Sequence, residues 1–169
     1  KKRKYIIDKG LKLIVNNINP YLLDAPNVCI PRLGIPLSGQ PKMLRGDTAT
    51  DDGNLLLNQD QKEHLLELAP EAGVFIRPTY GSLEFIRGVK RWCIWVEDHE
   101  YESARKINAL NEIFDRVSLF SLTSKAPSTV QFAEKPYKFK QIQHKDEDLI
   151  IVPRVSAIRR EYIPSGFLP

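Results

Sequence analysis

Five prolines fall at positions 20, 26, 31, 36 and 41, and no helix survives that spacing. Each removes a backbone donor and crowds the turn before it, so residues 19–41 must run as extended segments and turns. A short strand is expected over 27–31. Upstream, residues 4–8 (Lys-Tyr-Ile-Ile-Asp) and 11–18 (Leu-Lys-Leu-Ile-Val-Asn-Asn-Ile) are rich in β-branched and aromatic side chains. They predict a hairpin turning at Asp8-Lys9-Gly10.

Helical signals begin only after the turn Asp51-Asp52-Gly53-Asn54. Asn58 with Gln61 forms a capping-box pair, predicting a helix over 59–69 that buries Leu65, Leu66 and Leu68 and stops at Pro70. A short helix is expected over 82–86, ending at Gly88. Residues 90–97, with Trp92, Ile94, Trp95 and Val96, predict a strand. Over 102–121 the residues Ile107, Leu110, Ile113, Phe114, Val117 and Phe120 recur at spacings of three and four, the stripe of an amphipathic helix. A further short helix is expected over 128–134 and a buried strand over 149–155, with Pro153 at its end. Strands and helices mix without a regular βαβ rhythm. The expected fold is therefore α+β, with a mixed, mostly antiparallel sheet, an N-terminal hairpin and a few packed helices.

With 169 residues, 42% of them hydrophobic, the chain is long enough for one domain with its own core, and two full-sized domains are not expected. It opens at Lys1 rather than Met and stops just after an apolar stretch, so a fragment of a larger protein is expected. No 18-residue apolar run and no leader with a cleavage site are found, which predicts an intracellular, cytoplasmic location. Cys29 and Cys93 lack metal-ligand spacing and read as small core residues. The net charge of +4 permits a nucleic-acid partner without requiring one. Basic and acidic blocks alternate, however: residues 47–72 and 97–102 are acidic, whereas 1–13, 73–96 and 103–140 are basic. This suggests one face for a polyanion and another for water or a partner.

Motifs that carry chemistry are sparse in the chain. Asn19-Pro20-Tyr21 lacks the second proline of an adenine-methylase Asn-Pro-Pro-Tyr motif and reads as a turn. There is no dinucleotide fingerprint, phosphate loop or zinc-protease motif. His64, His99 and His144 read as surface residues, and Asp47, Asp51 and Asp52 as a solvated acidic turn. No catalytic, metal-binding or cofactor-binding residues are assigned.

The basic and aromatic segments carry more. Arg77, Tyr80 and Ser82 combine groups suited to phosphate or base contact, or else form a turn in which Arg pairs with an acid and Tyr packs. Arg154, Ser156, Arg159, Arg160 and Tyr162 suit direct readout, since an exposed Arg bridges guanine O6 and N7; an ordinary charged hairpin face is the alternative. Lys138 and Lys140 alternate with Tyr137 and Phe139, as a backbone-tracking strand or a lysine-protected edge strand would. Lys1-Lys2-Arg3-Lys4 reads as a solvated end.

Several ordered blocks resemble a known family. They are Asn19-Pro20-Tyr21-Leu22-Leu23-Asp24-Ala25-Pro26-Asn27-Val28, Ile76-Arg77-Pro78, Gly81-Ser82-x-Glu84-Phe85-Ile86-x-Gly88 and Arg91-Trp92-Cys93-Ile94-Trp95. Ile151-Val152-Pro153-Arg154-Val155-Ser156 and Arg159-Arg160-x-Tyr162-Ile163-Pro164-x-Gly166-Phe167 follow. Together they are similar to the target-recognition region of MmeI-like DNA methyltransferases, large bacterial restriction-modification proteins. The resemblance implies a double-stranded DNA reader whose parent methylates adenine N6 with S-adenosylmethionine. Catalytic and cofactor residues would lie upstream, leaving this segment inert alone, and part of the recognition surface would lie beyond its C-terminus. Arg77, Arg154, Arg159 and Arg160 would then position the duplex through phosphates, while Ser156, Ala157 and Glu161 discriminate bases. The Arg91-Trp92-Cys93-Ile94-Trp95 block would be scaffold with buried Trp rings. The competing expectation is a protein-interaction module that docks on its own methylase domain through the acidic helix 59–69 or the run 97–102.

Overall fold

A computed structural model describes residues 3–29, 31–144, 147–157 and 159–168. The chain divides into two compact units, residues 1–43 and 44–169.

In the first unit, strands β1 (Lys4–Asp8) and β2 (Leu11–Val15) pair antiparallel, with Lys4 opposite Val15 and Asp8 opposite Leu11. Lys9 and Gly10 take the left-handed backbone, φ 47° and 83°, that a two-residue hairpin turn requires. β2 ends at Val15, short of the expected 18, because Asn16–Asn19 leave the ladder for side-chain-capped turns: Asn17 Nδ2 donates to Ala25 O at 2.7 Å and Asn19 Oδ1 accepts from the Tyr21 and Leu23 N–H groups, each at 3.0 Å. Asn19 is thereby buried in a structural turn, as its reading predicts. No strand forms among the described residues of 27–31 (Ile30 lies outside them), and Cys29 is exposed, not a core residue. The prolines leave this segment without a ladder partner.

In the second unit a three-stranded antiparallel sheet has the order β3 (Leu56–Leu57), β5 (Trp92–Ile94), β4 (Ile76–Pro78). Central β5 places Cys93 between Leu56 and Arg77. The strand expected over 90–97 is shorter because both partners are short: Pro78, without an N–H, ends β4 on the sheet edge, and Glu97 already enters a turn in which its N–H donates to Glu100 Oε2 at 3.0 Å. One side chain sets up β3: the buried Asp51 carboxylate accepts from the Gly53 and Leu55 N–H groups, which makes it a buried turn anchor and not a solvated one.

Helix α1 (Gln59–Leu68) starts at Asn58 with the predicted capping box. It buries Leu65 and half-buries Leu66, but Leu68 is 65% exposed: Pro70 opens a 3-10 turn, Pro70–Phe75, and buried Ala69, Ala72 and Phe75 take the core side instead. Helix α2 (Ser82–Arg87) ends where expected, at left-handed Gly88. The helix expected over 102–121 is two, α3 (Tyr101–Ala104) and α4 (Asn108–Leu122), with Ile107 extended between them. The break lets Tyr101 stack on Tyr137, ring centroids 4.1 Å apart, while Leu110, Ile113, Phe114 and Val117 keep the predicted stripe buried. Helix α5 (Pro127–Val130) and a 3-10 turn, Gln131–Glu134, cover α4 as the 128–134 expectation requires.

The segment 135–140 is a turn and not a strand; Tyr137 and Phe139 are core residues. A bridge between Thr48 and Gln141 follows, supported by Asp47, whose carboxylate takes the Gln143 and His144 N–H groups and the His144 ring. The final pair, β6 (Leu149–Ile151) and β7 (Gly166–Leu168), forms an antiparallel hairpin. The strand expected to be buried through 155 ends at Ile151 and is largely exposed, because β7 is its sole partner among the described strands. The α+β reading with an N-terminal hairpin holds, the strands being dealt into three small sheets.

Candidate functional site

The residues singled out from the sequence separate into two places within the second unit. Lys138 and Lys140 are held inside it. Lys138 Nζ lies 2.5 Å from Asp98 Oδ1, and Lys135 adds a longer pair at 3.7 Å. Lys140 Nζ donates to Ser128 Oγ at 3.0 Å and Thr129 Oγ1 at 2.8 Å. The Asp98 carboxyl is held below the ordinary carboxylate range, chiefly by the Lys138 hydrogen bond, and burial pushes the Tyr137 phenol up. These groups pin the turn after Glu97 to the segment 135–138.

The other residues lie on β4 (Arg77), at and just before the start of α2 (Ser82 and Tyr80), and on the loop between β6 and β7. Arg77, on edge strand β4, is exposed; its guanidinium donates to the Val74 carbonyl at 2.7 Å and the Ile76 carbonyl at 3.3 Å, so it pairs with backbone and not with an acid. Tyr80 is 57% exposed. Ser82, first residue of α2, accepts the Arg154 N–H on its hydroxyl at 3.3 Å, joining two segments far apart in sequence. Beyond that bond, Arg154, Ser156, Arg159, Arg160, Glu161 and Tyr162 are all exposed on the loop. The Arg160 N–H closes a turn on the Ala157 carbonyl at 3.0 Å. Ile158, like Lys1 and Lys2, lies outside the described residues. Among the described residues, no carboxylate lies within ion-pair distance of the Arg154, Arg159 or Arg160 guanidinium.

Sequence reasoning missed what supports this surface. Glu84 of α2 is 5% exposed and bridges two elements: one carboxylate oxygen accepts the Gly81 N–H at 3.0 Å and the other lies 3.2 Å from the Arg91 guanidinium. Phe85 packs on Gly166 of β7. Gly-Ser-x-Glu at the head of a short helix signals a cap, but nothing local signals partners at 91, 154 and 166. In the scaffold block, Cys93 is buried, its thiol pushed up to about 11 first by burial, while both Trp rings are half-buried, Trp95 donating to Glu97 at 2.8 Å and Trp92 lying under the Lys62 ammonium at 4.3 Å.

No group of His, Cys, Asp and Glu suited to a metal ion occurs among the described residues, and no described helix is long and apolar enough to cross a membrane. His64, His99 and His144 are exposed as expected, and the His144 ring also meets Trp95 edge-on at 5.1 Å. A hollow of about 500 Å³ is lined by Asn58, Gln59, Asp60, Val89 and Lys90.

An α+β unit that sets arginines on an exposed loop, with no carboxylate paired to them among the described residues, has the make-up of a class of surface-reading modules. The comparison with protein families gives that class a name: the MmeI target recognition domain model matches residues 24–169, and the chain belongs to that family. It is 33% identical over 170 residues to DNA methyltransferase A of Bacillus subtilis (strain 168), a match covering 98% of this chain and 19% of that protein. It is also similar to the solved structure of the Type IIL restriction-modification enzyme MmeI in complex with DNA, with a TM-score of 0.91 and 32% identity over 99% of this chain and 23% of that one. The chain thus spans about a fifth of the length of these two relatives.

Proposed function

We propose that the chain is the sequence-specific duplex-DNA recognition module of a bacterial adenine-N6 methyltransferase with a restriction-modification role, acting in the cytoplasm. The observation that carries this reading is the 152–165 loop, whose Arg154, Arg159 and Arg160 are exposed and unpaired among the described residues. Three cations left without acidic partners on one loop suit an external polyanion. Tyr80, two residues before Ser82, adds an exposed aromatic ring, and Arg77 an exposed cation on edge strand β4. The DNA complex of the similar MmeI enzyme supports the same partner. In this reading the arginines place the duplex through its phosphates, and Ser156 and Glu161 select among base edges, Glu161 as an acceptor for cytosine N4. Lys138 and Lys140 contribute to the fold, since their ammonium groups are already engaged.

Methyl transfer is assigned to the rest of the parent polypeptide, which would hold S-adenosylmethionine and the flipped adenine. A second reading, docking on that methylase domain, draws on α1, which exposes Asp60, Glu63, Glu67 and Leu68 together.

Salt dependence separates the two. DNA retention should fall steeply as salt rises, and an Arg154→Ala/Arg159→Ala variant should bind more weakly with a log–log slope lower by about 1 for each phosphate contact removed. Retention insensitive to salt and to both substitutions would leave the docking reading alone.

A further inference from the structure

We infer that α2 is a latch that sets the position of the 152–165 loop, with Phe85 and Gly166 as the positioning pair; the inference rests on the DNA-reading proposal above. The loop is held at both ends by the same short helix. At its start, the Arg154 N–H donates to Ser82 Oγ. At its end, Gly166 lies against the Phe85 ring so closely that a Cβ there would stand 2.7 Å from Cε2 and 2.8 Å from Cζ. The φ of Gly166 is not in the left-handed region, so glycine is needed for room and not for backbone freedom.

The helix cannot easily yield to such a Cβ. Its first turn is fixed through buried Glu84, which receives the Gly81 N–H and the Arg91 guanidinium on separate oxygens. Gly81 is filled in turn: a Cβ there would meet Glu84 Oε2 at 2.6 Å. Arg91 precedes central strand β5, and its carbonyl accepts the Thr79 N–H at 2.9 Å. A line of contacts therefore runs from the sheet through Arg91, Glu84 and Phe85 to Gly166. Because Gly166 pairs with Ile151 in the hairpin register, any shift at Gly166 moves both ends of the loop.

Base readout needs donors placed within about 2.7–3.2 Å of their acceptors, whereas attraction to phosphate tolerates displacement. Loosening the latch should therefore erase sequence preference before it erases affinity. In the 169-residue chain, Gly166→Ala should raise amide hydrogen exchange across 149–168. It should also lower enrichment of the preferred motif from a randomised duplex pool about tenfold, the scale of one lost bidentate base contact, with the salt slope unchanged. Adding Phe85→Leu makes room for the new methyl and should restore both readouts. If Gly166→Ala does not fold, Phe85→Ala opens the same latch without overpacking and should produce the same loss. Unchanged exchange and enrichment in these variants would overturn the inference, as would raised exchange with an unaltered motif. A wild-type chain that grips every duplex alike defeats the DNA-reading proposal and the positional role with it, and the exchange comparison still decides whether Phe85 and Gly166 form a latch.

Discussion

Two cysteines show how environment, and not residue type, sets chemistry here. Cys93 sits in the middle of the central strand between Leu56 and Arg77, buried, with its thiol raised to about 11. Cys29 stands exposed among the prolines. Since the thiolate is the nucleophile, a neutral-pH thiol reagent should modify one cysteine in the native protein, and mass mapping should place the label at Cys29. Cys93 should react only under denaturant. Early labelling of Cys93 would mean that the sheet opens readily. Asn58, Asp51 and Asn19 make the same point for polar groups: each satisfies backbone N–H groups at the head of a turn or helix, and each is fixed by local sequence.

Among elements, the turn after Glu97 is joined to the segment 135–138 by the charges around Asp98. That carboxyl is held below the ordinary range by Lys138 first and Lys135 after it. A depressed carboxyl pKa contributes stability above the unfolded value near 4, and this is lost as pH falls through the folded value. Carbon-13 NMR should find the Asp98 titration midpoint below that of an unstructured Asp, and Lys138→Met should move it up. Elements whose rules are local were legible from sequence: the N-terminal hairpin, the capped α1, the Gly88 stop of α2 and the stripe on α4. Those decided by distant partners were not. The strand at 90–97 shrank to the length of its neighbours, the long helix broke to stack Tyr101 on Tyr137, and the alternating 135–140 segment became core because Tyr137 and Phe139 found α4 and Trp95. The candidate site divides in the same way, since its arginines are visible in the sequence while the Glu84–Arg91 and Phe85–Gly166 contacts behind them join residues that local rules do not link.

At the scale of the whole molecule, every buried hydrophobic residue of the core among the described residues lies in the second unit, between Ala49 and Phe139. A chain shortened to residues 44–169 should therefore unfold in urea with the same midpoint and nearly the same cooperativity as the 169-residue chain; a markedly lower midpoint would show that the first unit contributes to that core. The Thr48–Gln141 bridge closes this core just before the C-terminal hairpin begins. Among the described residues, none from 149 onward belongs to this core cluster. If the loop reads DNA as proposed, a lineage could rewrite its exposed positions without touching that cluster, provided the glycine under the phenylalanine is kept, and binding preference would be free to diverge at a pace that core residues could not survive.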